Sequence, residues 1–171
     1  MKEGQVRIPS GCAISGIFNR TGKRISGDTI INSISVMHDR SNGLGGGFAA
    51  YGIYPEYKDY YAFHIFYETT SSKRECEEFI ERHFYIINLS KIPTRKMKEI
   101  TDEPLIWRYC VTPLPTKLAD SQLDEREFVA RCVFRANTRI NGTYVFSSGK
   151  NMGVFKAVGF PEDVGRFYML E

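Results

Sequence analysis

Apolar and polar positions alternate along the chain in a way that predicts short strands mixed with a few amphipathic helices. Ala13 to Phe18 is an apolar run ended by Asn19-Arg20-Thr21-Gly22, which reads as a strand entering a turn. Asp28 can cap a helix in which Ile30, Ile34 and Met37 recur at helical spacing and Ile31 widens the stripe. That helix leads into His38-Asp39-Arg40-Ser41-Asn42, and the glycines at 43, 45, 46 and 47 make the stretch a loop. Such a loop visits positive φ angles or lets another group come close to the backbone.

Phe48 to Tyr54 and Tyr60 to Tyr67 are expected strands, joined through Pro55-Glu56. Ser72-x-x-Glu75 has the form of a capping box. It would open a helix through His83, with Cys76, Phe79, Ile80 and His83 on one face. Tyr85 to Leu89 and Leu105 to Val111 are further strands, the second closed by Pro113 and Pro115. The clearest helix runs from about Asp124 to Ile140, where Val129, Val133, Ala136 and Ile140 repeat and Asp124, Glu125 and Glu127 favour the N-terminal dipole. Asn141-Gly142 ends it. Tyr144 to Ser147 and Met152 to Val158 follow as strands across a Ser148-Gly149-Lys150-Asn151 turn, and Pro161 opens a short helix. The expected class is α+β, with hairpins pairing successive strands and no internal repeat or linker.

At 171 residues the chain suits one domain rather than two, and 42% apolar with 25% charged residues is an ordinary globular composition. The net charge of +3 lacks the concentrated basic excess of a nucleic-acid binder. Acidic Glu56, Asp59 and Glu68 among the tyrosines from Tyr51 to Tyr67 argue further against a base-stacking surface. No apolar run reaches the roughly 18 residues that span a bilayer. Met1 to Gly11 lack the apolar stretch of a secretory signal. Cys12, Cys76, Cys110 and Cys132 are irregularly spaced, with neither zinc-ligand nor disulfide-scaffold spacing, so a reduced, cytoplasmic protein is expected. His64 and His83 have no second ligand at metal spacing, and no metal or other cofactor is expected in this chain. Ser148-Gly149-Lys150 lacks the upstream glycine and the following Ser/Thr of a phosphate-binding loop. The basic run of Lys91, Arg95, Lys96 and Lys98 reads as a solvated face.

Cys12 has two readings. A cysteine opening a strand is most often a small buried hydrophobe. The alternative requires residues 1 to 11 to be a leader, removed after Gly11. Cys12 would then carry a thiol and a free α-amine, whose unperturbed pKa of about 7.7–8 lets it accept the thiol proton near neutrality.

The segment Cys12-Ala13-Ile14-Ser15-Gly16-Ile17 is similar to the Cys-Gly-Ile-x-Gly-Ile start of class II glutamine amidotransferases, which belong to the N-terminal-nucleophile (Ntn) hydrolases. His38-Asp39-Arg40-Ser41-Asn42-Gly43, followed by Gly45-Gly46-Gly47, resembles the family's His-Arg-Gly loop beside the active cysteine. Two further runs resemble the amidotransferase component of archaeal-type glutamate synthases. They are Gly46-Gly47-Phe48-Ala49-Ala50-Tyr51-Gly52 and Phe146-Ser147-Ser148-Gly149-Lys150-Asn151-Met152-Gly153.

The resemblance implies an Ntn-hydrolase-like α/β/β/α sandwich of two antiparallel sheets. It also implies release of ammonia from glutamine through a thioester on Cys12, as part of nitrogen assimilation. The ammonia would pass to a synthase subunit or domain that holds FMN and iron–sulfur centres. Arg40 would position the active-site loop or lower the thiol pKa; the other reading is an exposed arginine beside Asp39. The pattern also departs from the family. The Gly-x-Arg-Phe-Pro-Thr and Asn-Gly-Glu signatures, which grip the glutamine carboxylate and build the oxyanion hole, do not occur, and Asn141-Gly142 is followed by Thr143. Residues 12–171 are therefore expected to be the amino-terminal part of such a domain, incomplete and weak or inactive alone. Such a piece would pair with a missing segment, another chain or a copy of itself. The runner-up is a noncatalytic interaction or regulatory module on the same scaffold.

Overall fold

The computed structural model describes residues 11–101 and 103–171; of the expected leader, all but Gly11 lies outside the described residues. In chain order the elements are α1 (Gly27–Ser35), β1 (Gly46–Tyr51), β2 (Tyr61–Tyr67), α2 (Thr70–Glu81), β3 (Phe84–Lys91), β4 (Leu105–Pro113), α3 (Pro115–Ser121), α4 (Glu125–Arg139), β5 (Thr143–Lys150), β6 (Met152–Ala157) and α5 (Pro161–Phe167). The chain is mixed α+β with antiparallel sheets. It forms two compact units. The first comprises the described residues up to Phe48 with 93–101 and 155–171, and the second residues 49–92 and 103–154. β1 pairs with β6, and the division falls within both strands.

The second unit holds a four-stranded sheet in the order β3-β4-β2-β5. β2 lies inside it, with Ile65 opposite Trp107 on β4 and Val145 on β5. Its tyrosines and apolar residues at 61, 63, 65 and 67 share one core with Cys76 and Ile80 of α2 and with Phe128, Val129, Cys132 and Ala136 of α4. Burying each large side chain there stabilises the unit by about 1.5–3 kcal/mol. β2 is buried along nearly its whole length, which explains why Tyr60 to Tyr67 reads as a continuous apolar run with little alternation.

α4 starts as the sequence predicts, with the Asp124 carboxylate accepting from the Glu127 amide at 2.8 Å. α2 does not. Thr69, rather than Ser72, caps it by accepting from the Ser72 amide at 3.0 Å, and Ser72 is a buried residue of the first turn. Three other expectations are corrected. Residues 13–18 form no strand, and Ile14 and Phe18 are 89% and 87% exposed, so the apolar run meets no sheet here. Pro115 does not merely close β4; it begins α3, where its missing N–H costs nothing. β5 and β6 make no hairpin, since β5 pairs with β2. Asn151, at φ 50°, turns the chain out of the sheet, and its carbonyl and side chain accept from the amides of Gly52 and Tyr54.

A buried polar chain runs through the core of this unit. Tyr67 Oη donates to Tyr109 Oη at 3.1 Å, and Tyr109 Oη donates to Glu77 Oε1 at 3.0 Å. Glu77 also accepts from Lys73 Nζ at 2.6 Å, and that ammonium lies 4.2 Å above the Trp107 ring. Burial pushes both phenols far above their usual range. Tyr109→Phe leaves the Tyr67 hydroxyl facing only the weak Cys76 acceptor, so it should cost about 1–3 kcal/mol in urea unfolding. Tyr67→Phe/Tyr109→Phe should cost less than the sum of the two singles, because it leaves no orphaned hydroxyl. Strict additivity would show that the hydroxyls are not coupled.

Candidate functional site around Cys12

Within the first unit, the Cys12 segment adjoins α1 and the turn after it, and that turn packs on the start of α5. Ser26, rather than the expected Asp28, caps α1 by accepting from the Asp28 amide, and the helix buries Ile31 and Ile34. α5 packs on it so closely that a Cβ at Gly165 would lie 2.7 Å from the Ile31 side chain. Past α1 the chain winds into a tight 3₁₀ turn, His38–Arg40, closed by Arg40 N–H to the Met37 carbonyl and Ser41 N–H to the His38 carbonyl, each 2.9 Å.

The corner before α5 holds this turn from one side. The His38 ring stacks on Phe160 with centroids 4.1 Å apart and planes inclined by 23°. Its Nδ1 meets Glu162 Oε1 at 2.5 Å. Glu162 Oε2 is buried and has no hydrogen-bond partner among the described residues. Gly43, at φ 71°, lies against the same Phe160 ring, where a Cβ would come within 3.2 Å. Asp163, the next residue, has its carboxyl pushed above the usual range by burial and by the neighbouring Glu162 charge, with Arg166 and His38 opposing.

Cys12 lies on the other side of the turn. A Cβ at Gly11 would stand 3.5 Å from the Arg40 carbonyl oxygen, and Ser15 Oγ lies 2.5 Å from Ser33 Oγ on α1. The segment carrying Cys12 is thus held to α1 through Ser15 and passes close to the Arg40 carbonyl, so the expected Cys12 and Arg40 are brought to neighbouring backbone. Both side chains are exposed. Cys12 is not the buried hydrophobe of the first reading. Cys76, Cys110 and Cys132 are: burial pushes all three thiols up, to about 11 for Cys76 and Cys132, which leaves them protonated and inert near neutrality.

Several other residues singled out by sequence have structural roles. Gly46 and Gly47 admit backbone rather than a ligand, since a Cβ would meet Pro161 Cα at 2.9 Å and the Phe155 carbonyl at 2.6 Å. In the second unit, α4 is capped by Ile140, and Gly142, two residues on at φ 69°, turns the chain into β5 with its carbonyl accepting from the Glu68 amide. His83 Nδ1 bonds the Phe79 carbonyl. His64 is fully buried between the Tyr54 hydroxyl and the Val154 carbonyl, each 2.8 Å away. Among the described residues no group of His, Cys, Asp and Glu is arranged to hold a metal, and no helix is long and apolar enough to cross a membrane. Sequence reasoning missed Phe160 and Glu162, which lie more than 120 positions from His38 and carry no local signal.

No family model matches the chain. It is 45% identical over 161 residues to an uncharacterized protein of Archaeoglobus fulgidus, a match covering 93% of this chain and 42% of the relative. The chain therefore spans less than half the length of that relative.

Proposed function

We propose that this chain carries the nucleophile-bearing part of a class II glutamine amidotransferase on an Ntn-type sandwich. The observation that supports this most is the approach of Arg40 to residue 11, which joins the two segments resembling the family's cysteine and loop motifs. The exposed thiol agrees with it.

In this reading the leader is cleaved after Gly11. The freed α-amine of Cys12 takes the thiol proton, and the thiolate attacks the side-chain carbonyl carbon of glutamine. As the tetrahedral intermediate collapses, the C–N bond breaks and the nitrogen takes the proton back from the α-ammonium. Ammonia leaves, and the glutamyl group stays on Cys12 as a thioester. Water then releases glutamate and restores the thiol. Arg40, an exposed cation, stands on the backbone that adjoins this segment. A synthase partner with FMN and iron–sulfur centres would consume the ammonia.

The carboxylate clamp and oxyanion donors would come from outside these residues, and one oxyanion donor alone is worth about 10²–10³ in rate. The 171-residue chain should accordingly release ammonia from glutamine at least about a hundredfold more slowly than the full-length archaeal relative. A coupled ammonia assay on both proteins checks this, and equal rates would overturn it. Intact mass of the natively produced protein tests the nucleophile directly. A mass beginning at Cys12 is the expected result, and a retained leader rules the mechanism out, because an acylated nitrogen is no base.

One observation favours the noncatalytic scaffold instead. Residues 13–18 form no strand, so the thiol does not stand on a sheet.

A further inference from the structure

We propose that Glu162 is a positioning residue for the Cys12 site, acting through His38 to fix where Arg40 stands. The inference rests on the amidotransferase reading only for its purpose. Its physical content is a clamp of three contacts.

His38 is the first residue of the 3₁₀ turn and Arg40 the last, so the backbone positions of the two are fixed together within a single hydrogen-bonded turn. His38 is half-exposed, at 49% for its side chain, and a half-exposed imidazole in a loop has several rotamers available. Two contacts select one. The ring lies flat on Phe160, and Nδ1–H donates to Glu162 Oε1. The carboxylate is drawn in far enough that only 16% of its side chain stays exposed and its second oxygen is buried without a partner. A carboxylate oxygen in that condition is unfavourable by itself. It persists because the charge-assisted bond to His38 offsets the desolvation.

The far side of the turn is where the clamp acts. The Arg40 carbonyl abuts Gly11, one residue from Cys12, so a turn held by Glu162 keeps the Arg40 backbone against the Cys12 segment. Released, the turn would let that backbone move off Gly11 and carry the Arg40 cation away from the thiol. Neither Glu162 nor His38 need touch a substrate for this.

The test measures charge near the thiol. Iodoacetate is anionic and iodoacetamide neutral, and they alkylate the same sulfur. By Coulomb's law in water, any unit cation held about 7 Å from a thiol raises its iodoacetate-to-iodoacetamide rate ratio about threefold. The full 171-residue chain is alkylated at fixed pH and low salt without glutamine, with Cys12→Ser as the blank, since the other three cysteines are buried. Arg40→Gln should lower the ratio about threefold. Glu162→Ala should lower it to the same level, whereas Glu162→Gln, whose amide oxygen still accepts Nδ1–H, should retain most of the ratio. At 1 M salt, with a Debye length of about 3 Å, the wild-type ratio should fall toward that of Arg40→Gln. If Glu162→Ala does not fold, His38→Leu breaks the same bond at a half-exposed position and takes its place.

A folded Glu162→Ala or His38→Leu chain with the wild-type ratio overturns the proposal, and so does an Arg40→Gln chain whose ratio is unchanged. Loss of stability alone would not change the ratio of two rates at one sulfur. If the ratios behave as expected but neither this chain nor the longer archaeal relative releases ammonia from glutamine, the clamp stands and the amidotransferase reading fails.

Discussion

Lowering the pH from 7 to 4 will remove about 3 kcal/mol from the stability of the second unit through one residue, His64. Its side chain is fully buried, and that burial pushes its pKa down from 6.5 to about 4. The Val154 carbonyl opposes the shift and the Arg108 cation adds to it. The carbonyl can only accept, so Nδ1 carries the proton of the neutral ring and the Tyr54 hydroxyl donates to Nε2. A second proton on the ring would remove that acceptor.

The sign follows from the depressed value. Above pH 6.5 neither folded nor unfolded chain protonates this histidine, and its full contribution is present. Between 6.5 and about 4 the unfolded chain binds a proton that the folded chain refuses, so stability falls through that window. Urea unfolding at pH 7, 5.5 and 4 reads it, with Trp107 on β4 as the single fluorescent indole. His64→Gln should be less stable at pH 7 and nearly flat across the window. If the variant keeps the wild-type slope, some other group is responsible. Glu125, whose carboxyl the Lys150 hydrogen bond holds below its usual range, is partly exposed and screened by solvent, and should contribute little.

The elements that sequence predicts well here are those whose evidence is local. α4 and α5 begin where their own cap and N1 proline place them, whereas α1 shows its helical stripe but is capped by Ser26, two residues before the expected Asp28. Pairing is not local. Ala13 to Phe18 has a strand's composition, but a strand exists only where another edge supplies hydrogen bonds, and none does so among the described residues. β5 and β6 look like a hairpin because they are adjacent and a turn separates them, yet β5 finds its partner about 80 residues upstream in β2. α2 was legible as a helix while its cap was not, since Thr69 and Ser72 are both competent caps three positions apart. The same limit applies to the site. Cys12 and Arg40 were found because two ordered motifs contain them. Glu162 and Phe160 were not, because an acidic residue after a proline looks like ordinary helix-start chemistry until the fold places it on His38.

Glycines in the segment from Phe146 to Gly153 divide by what they face, and this sets the second large effect. Gly149→Ala would place a Cβ 2.2 Å from the Met152 sulfur, but the unbranched methionine can swing away, so the cost should stay near 1 kcal/mol. Gly153→Ala meets a ring that cannot move. The new methyl would lie 2.5 Å from His64 Cε1, 3.1 Å from its Nε2 and 3.0 Å from Ile53 Cδ1, and both ring nitrogens are already bonded. Relief requires His64 to give up the Tyr54 hydroxyl or the Val154 carbonyl inside the unit. Overpacking of about 1–3 kcal/mol then adds to a buried hydrogen bond left unmade, for a total of about 3–5 kcal/mol. Thermal unfolding of both alanine variants measures the difference. Gly153→Ala should also flatten the acid sensitivity between pH 6.5 and 4, because an expelled imidazole regains water and its ordinary pKa. If Gly153→Ala melts with the wild type and keeps the acid transition, then His64 is not confined as its contacts indicate. The glycine would then serve some need other than the close approach of β6 to that ring.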